Sequence, residues 1–365
     1  MSAPKLILVG GFLGAGKTTL LWQAAQKLAG QGLQVGLVTN DQAPELVDTA
    51  LLARTNVHVA EVSGSCFCCN FPGFLNALTQ PAGEQKADVF IAEPVGSCTD
   101  LSATILQPLK DRHADAFSLA PLSVLVDPAR LSDILSGGSA GLHPSAAYIF
   151  RKQMEEADFL VINKTDLLTA AEFETLQAQA RQAFPSVLSV LGVSAKTGAG
   201  LGTWLEAVTR GTHAGHHLAE VDYDVYAEGE AVLGWLNTRV VLRGETEWDR
   251  FAENLLKGLS QRFDRMGASV GHVKILLESG DSYVTGNLTG PGETLSLRGS
   301  AKKGPEARLL LNARVEMSPE ALEAVVRETL AAVCDGRIEA ETSGWRCLSP
   351  GRPNPTYHYD TVVDA

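Results

Sequence analysis

GFLGAGKTT, Gly11 to Thr19, joins the apolar run KLILVG to the helical stretch TTLLWQAAQKLAG. It fits G-x-x-x-x-G-K-[ST] and lies between a strand and a helix, as that motif requires. Glycines let such a loop fold closely around phosphates. Its backbone N–H groups and the helix N-terminus face the anion, and Lys17 can reach the β and γ phosphates. Gly11, Gly14, Ala15, Gly16, Lys17, Thr18 and Thr19 are therefore the expected phosphate contacts, with the Thr18 hydroxyl offered to Mg2+. The competing reading is a chance glycine-rich turn, against which the flanking strand and helix argue.

Outward from this loop, short β-branched runs alternate with helical patterns as far as about Val208: LQVGLVTN, VHVAEV, DVFIAEPV, LSVLVD, DFLVINKTD and VLSVLGVSA are the runs. Near-continuous apolar runs mean strands covered on both faces. The alternation predicts an α/β fold, a doubly wound, mostly parallel sheet, with ligands beyond the carboxyl ends of its strands. At 365 residues the chain is long for one core. The expected division is 1–212 for this nucleotide domain, 213–221 for a linker and 222–365 for a smaller α+β domain.

The base is read from NKTD, Asn163 to Asp166, at the end of a strand. A carboxylate at Asp166 can accept from guanine N1–H and the exocyclic amine, whereas adenine would leave it unpaired, a costly arrangement. Lys164 can lay its stem over the base. An ordinary strand-to-helix turn with Asp166 as helix cap is the plain alternative. SAKTG then follows the next strand, and Ser194, Ala195 and Lys196 join the candidates, the Ala195 N–H aimed at guanine O6. The three motifs in this order favour GTP over ATP. Glu93 and Gly96 in EPVG are expected at the metal and the γ-phosphate, as in nucleotide switches. NDQAPEL supplies Asp41, Gln42, Glu45 and, just beyond, Asp48; Gln42 is the candidate to orient water. With no arginine finger evident, intrinsic hydrolysis to GDP and phosphate is expected to be slow.

Charged residues are 20% and apolar ones 45%, an ordinary globular composition. The net charge of −12 disfavours nucleic acid as a partner and suits cations. The start, MSAPKLILVGG, reads as neither signal peptide nor membrane span, so a cytoplasmic protein with reduced thiols is expected.

SGSCFCCN, Ser63 to Asn70, gathers half of the six cysteines. Adjacent Cys68 and Cys69 can hardly bridge each other, so the cluster reads as a thiolate site. In an extended segment Cys66 and Cys68 point one way and Cys69 the other, so convergence requires a turn after Phe67. Three thiolates would leave one position of a tetrahedral Zn2+ shell open, which suits release; cobalt, nickel and Cu(I) are chemically admissible. Incidental buried thiols are the alternative. Cys98 in EPVGSCTD can approach or leave the cluster as the γ-phosphate comes and goes, or be a structural core cysteine.

GFLGAGKTT, SCFCC, EPVG, NKTD and SAK together resemble the CobW-type GTPases of the group that also holds HypB and UreG. The resemblance implies GTP binding and hydrolysis coupled to holding and releasing a divalent metal, often zinc, with Cys66, Cys68 and Cys69 as ligands. It implies a client metalloprotein or cofactor-building enzyme as recipient and, by analogy, a homodimer. Ser65 stands where the family usually has Gly, and NDQA at Asn40 to Ala43 replaces Asn-Glu-Phe-Gly. A regulatory GTPase with a structural or redox thiol cluster is the second reading, and an ATP-using P-loop enzyme the third.

Beyond GTHAGHHLAEVDYD, whose His213, His216 and His217 read as part of a solvated linker or as a weak entry site for metal, strands and helices alternate in the order of helices on an antiparallel sheet. This part resembles the CobW-type carboxy-terminal domain, which implies client engagement. Cys334 reads as core, Cys347 as a surface candidate, and GRPNPTYHYD as an exposed tail.

Overall fold

The computed structural model describes residues 3–41, 47, 50, 58–79, 86–289 and 295–364. Its first sheet has eight strands, in the order β3(His58–Ser63), β2(Val35–Asp41), β4(Val89–Glu93), β1(Lys5–Gly10), β6(Ser123–Val126), β7(Phe159–Ile162), β8(Ser189–Gly192), with β5(Ser118–Leu119) beside β1. All of its pairings are parallel. Alternation explains the uniformly apolar strands: Leu6 and Leu8 enter one buried cluster, Ile7 and Val9 the other. A sheet with helices on both faces needs both sets. The doubly wound, mostly parallel fold expected from the sequence is the one found.

β1 is central, and its carboxyl end delivers the phosphate loop into the crevice where α/β sheets bind ligands. β4 and β7 end on the same side with Glu93 and Asn163.

The second sheet is wholly antiparallel, ordered β12(Ser296–Ser300), β11(Ser282–Leu288), β10(Val270–Ser279), β13(Lys303–Glu316), β9(Leu233–Glu247), β14(Glu339–Leu348). Helices Trp248–Met266 and Pro319–Cys334 cover one face, packing Phe251, Leu255 and Val326 onto Val273, Ile275 and Leu311. Strand alternation sends Trp235, His272, Lys274 and Arg314 to the opposite face, where they line a cavity shared with the phosphate loop.

Among the described residues no helix is long and apolar enough to cross a membrane. The histidine-rich stretch is tied to the first domain at several points: His216 Nδ1 lies 2.5 Å from the buried Asp158, Nε2 lies 2.6 Å from the Ser186 carbonyl, and the Gly211 and Gly215 carbonyls accept from Lys5 and Gln107. The GRPNPTYHYD tail departs from its sequence reading, since it folds back over the first sheet's cysteine turn.

Candidate nucleotide and metal site

Gly16 precedes the first turn of helix Lys17–Ala29 with φ 91°, and no side chain caps that helix. Its opening N–H groups are therefore available to an anion. A Cβ on Gly16 would lie 2.4 Å from Asn163 Nδ2, so only glycine fits. Lys17 Nζ donates to the Gly11 carbonyl at 2.7 Å and lies 3.8 Å from Glu93. The Thr18 hydroxyl donates to the Glu93 carboxylate at 3.1 Å, and all three side chains are buried. A hydroxyl facing a carboxylate beside a phosphate cradle is a donor set that fits Mg2+, which takes one or two protein oxygens and completes its shell with water and phosphate. Gly96 sits so close that a Cβ there would meet Lys17 Nζ at 3.2 Å.

At the other end, Asn163 Nδ2 donates to the Ala15 carbonyl at 2.7 Å, and Asn163 Oδ1 accepts the Ala195 N–H at 2.9 Å. The Ala195 donor expected at guanine O6 is thus engaged by Asn163. Lys164 adopts φ 57° and pairs with Asp127 at 2.7 Å. Burial, the largest single influence, would raise the Asp127 carboxyl; the Lys164 ammonium together with the Arg130 N–H and guanidinium holds it below its ordinary range. Asp166 is not the cap of the following helix. Thr169 and Glu172 form a capping box there, leaving Asp166 Oδ1 to accept the Ser194 hydroxyl at 2.6 Å, with Lys196 at 4.0 Å. Asp127 escaped sequence reading; its signal was the strand-terminal Asp-Pro of LVDPAR.

A cavity of about 290 Å³ encloses the phosphate end, at the lower edge of ligand-pocket volumes. It adjoins a groove containing Asn163, Asp166, Ala195 and Lys196; Gly16, Thr19, Lys164 and Arg298 line both. One nucleotide can lie across the pair, phosphates in the first and base in the second.

The roof of the cavity is the second sheet. Arg130 donates to the Leu13 carbonyl at 3.1 Å and to the Val270 and Thr289 carbonyls at 3.2 and 2.8 Å, stapling phosphate loop to sheet. His272 is buried, and among the described residues its Nδ1 has no hydrogen-bond partner. Burial, then the charges of Lys274, Arg314, Lys17 and Arg130, hold its pKa well below the ordinary histidine value, so the ring is neutral. This cationic chamber suits a polyphosphate. The alternation in HVKILLES and RLLLNARV signalled a polar face but not what it covers.

The cysteines converge through a turn that begins at Cys66: the Cys69 and Asn70 N–H groups both donate to the Cys66 carbonyl, at 3.1 and 2.9 Å. Asn40, at the end of β2, holds the turn from beneath, donating to the Val62 and Ser65 carbonyls and accepting the Phe67 N–H, each at 2.8 Å. Cys66 and Cys68 sulfurs lie 3.0 Å apart, Cys68 and Cys69 3.8 Å, and all three within 4.8 Å of one another. Hydrogen bonds from Cys68 first, then from Cys69 and Cys98, hold Cys66 well below the ordinary thiol value. The bond to Cys66 pushes Cys69 up to about 11. A thiol braced in this way by its neighbours gives up its proton more readily, which favours entry of a thiophilic divalent cation that displaces the remaining protons. Cys334 and Cys347 belong to the second sheet's core, the Cys347 thiol donating to the Pro319 carbonyl. Gln42, Glu45 and Asp48, and the Asp41 side chain, lie outside the described residues.

A model of the CobW/HypB/UreG nucleotide-binding domain matches residues 5–216. The zinc chaperone YeiR of Escherichia coli strain K12 is 30% identical over 183 residues, 47% of this chain and 49% of that protein. The zinc chaperone CobW of a Sinorhizobium species is 26% identical over 196 residues, 47% of this chain and 53% of its own. The chain thus spans about half the length of these curated relatives. Among solved structures, hydrogenase maturation factor HypB of Archaeoglobus fulgidus matches with a TM-score of 0.40 and 18% identity, over 56% of this chain and 87% of that one. Zn(II)-bound YjiA GTPase from E. coli matches with a TM-score of 0.36 and 15% identity, over 92% and 99%. With its phosphate loop, the NKTD and SAK strand ends and the cysteine turn all inside the matched region, the chain belongs to the CobW/HypB/UreG family of P-loop GTPases.

Proposed function

We propose that the protein is a GTP-hydrolysing metallochaperone that holds zinc, or a related transition metal such as cobalt, on Cys66, Cys68 and Cys69 and passes it to a client metalloprotein or cofactor-assembly enzyme. The observation that carries this reading is the set of three sulfurs within 4.8 Å of one another, next in space to the segment that leaves Glu93. Zinc is the cargo, and a trithiolate keeps one coordination position for exchange.

In this reading the phosphates lie on the Gly11–Thr19 loop and Asp166 reads guanine. Thr18 and Glu93 hold Mg2+, which when bound neutralises charge building on the phosphates. Lys17 leaves the Gly11 carbonyl for the γ-phosphate, and Gly96 offers its N–H to the same group. Gln42 orients water. With no arginine assigned to the leaving charge, intrinsic turnover is slow. Residues 1–212 work the nucleotide and the metal; residues 222–365 engage the client. The setting is cytoplasmic, and a homodimer is the arrangement by analogy.

Burial of Cys66 and Cys68 favours a second reading, a regulatory GTPase whose thiol cluster is structural. Zinc affinity, measured against a chromophoric chelator in GDP and in a non-hydrolysable GTP analogue, separates the two. Nucleotide-dependent affinity that vanishes in Cys66/Cys68/Cys69→Ser supports the chaperone. Affinity indifferent to nucleotide removes delivery from the account.

A further inference from the structure

Cys98 lies on the segment that follows β4, five residues beyond Glu93. It is wholly buried in the same apolar cluster as Cys66 and Cys68, outside the group of three sulfurs that lie within 4.8 Å of one another. Its N–H donates to the Val95 carbonyl at 2.9 Å, closing a tight turn over Gly96. One buried amide, Gln153 Nε2, donates to the carbonyls of both Gly96 and Cys98, at 3.1 and 2.7 Å. One side chain therefore holds Gly96 and Cys98 together, with Lys17 Nζ beside Gly96.

We propose that Cys98 is the fourth ligand of the metal held by Cys66, Cys68 and Cys69, and that its membership of the shell is set by what Gly96 meets at the γ-phosphate position. This rests on the reading that the three clustered cysteines hold metal. With Cys98 in place the tetrahedron is closed by sulfur; with the Gly96 to Cys98 piece displaced, the metal keeps three sulfurs and an exchangeable site. Each thiol that joins the shell gives one proton to solvent, so metal charge and thiolate charge balance.

The test uses the full chain and cobalt(II), whose sulfur-to-metal charge-transfer absorption grows with the number of thiolates. Wild type is compared with Cys98→Ser and Cys98→Ala in GDP and in a non-hydrolysable GTP analogue, with GDP binding as the control for folding. Both substitutions are expected to remove about a quarter of the absorption in the tighter state. They are also expected to collapse an approximately tenfold nucleotide dependence of cobalt affinity to near unity. Wild-type absorption together with an undiminished nucleotide dependence in both variants overturns the proposal. If Cys66/Cys68/Cys69→Ser binds cobalt as tightly as wild type, the underlying site is wrong instead.

A separate observation concerns the carboxy-terminal tail. The Asn354 N–H donates to Cys69 Sγ at 3.2 Å, the Thr356 N–H to the Cys68 carbonyl at 2.8 Å, and the Thr356 hydroxyl to the Cys69 carbonyl at 3.2 Å. Tyr357 stands edge-on to Phe71 at 5.3 Å, and His358 meets the buried Asp100 at 3.1 Å, two residues beyond Cys98. Cys69 is the least buried of the three clustered sulfurs, and this strap lies against it.

We infer that residues 352–359 are a strap across the metal's exit, which must lift before the ion leaves. Zinc release into excess chromophoric chelator is the readout, with Tyr357→Ala and Thr356→Pro in the full chain. Release about tenfold faster in both, the equivalent of one lost aromatic contact or hydrogen bond, is expected. Wild-type release rates in both variants, with GDP binding intact, overturn it.

Discussion

Asn163 Nδ2 donates to the carbonyl of Ala15 at 2.7 Å, across 148 residues of chain. The same amide accepts the Ala195 N–H, so one side chain ties together the phosphate loop and the ends of β7 and β8. Asn163→Ala leaves a buried carbonyl and a buried N–H without these partners, at about 1–3 kcal/mol each. GDP and GTP-analogue affinities should fall together by roughly ten- to a hundredfold, with zinc binding in the absence of nucleotide unchanged; isothermal titration of each ligand checks this.

Glu93→Gln keeps an acceptor for the Thr18 hydroxyl, now at 3.1 Å from the carboxylate, but removes the charge. Phosphate release should slow by about a hundredfold, the scale of losing one electrostatic element of a transition-state site. Raising Mg2+ should recover part of it. Wild-type turnover at low Mg2+ would remove Glu93 from the metal's shell.

Lys274, half-buried on the polar face of the second sheet, lines the phosphate cavity. Lys274→Ala should weaken the GTP analogue about tenfold, the scale of one hydrogen bond to a charged group, and GDP much less. Equal losses for the two nucleotides would mean a general electrostatic role and no contact with the terminal phosphate.

Glu156 and Glu230 are wholly buried, and burial raises each to about 8. A raised folded-state value favours the protonated form, so their contribution is complete below the unfolded carboxyl value near 4.5 and is lost as pH rises to about 8. The wild-type melting temperature, measured without metal, should therefore decline between about pH 6 and pH 8, and Glu156→Gln with Glu230→Gln should flatten that decline. Glutamine at 230 can still accept the Ser97 hydroxyl, which lies 2.5 Å from the carboxylate.

The first sheet was legible because its strands are buried on both faces and its ligand loops all leave one edge, so KLILVG, NKTD and EPVG carry local signals. The cysteine turn was legible from the geometric need for three sulfurs to converge, although the chain turns from Cys66 itself. Helix Tyr223–Ala231 carries no such local signal. Its acidic, glycine-containing sequence lacks an apolar stripe, and Gly229 is buried because its backbone presses on the Ser145 carbonyl. The strap was missed for a related reason. Gly, Pro and Asn are loop residues, and what orders them are contacts with Cys68, Cys69 and Phe71, which no local pattern can announce. A strand's polar face looks the same whether water or a phosphate loop lies against it, so the roof was invisible too.

The three carbonyls on Arg130 belong to two different parts of the chain: Leu13 to the phosphate loop, Val270 and Thr289 to the second sheet. A fragment ending near residue 212 would strip that guanidinium of two of these acceptors and bare Leu13, whose methyl otherwise presses on Gly271. Such a fragment can keep every signature motif and still own a differently shaped phosphate loop. Affinities taken from it would not describe the loop of the full chain.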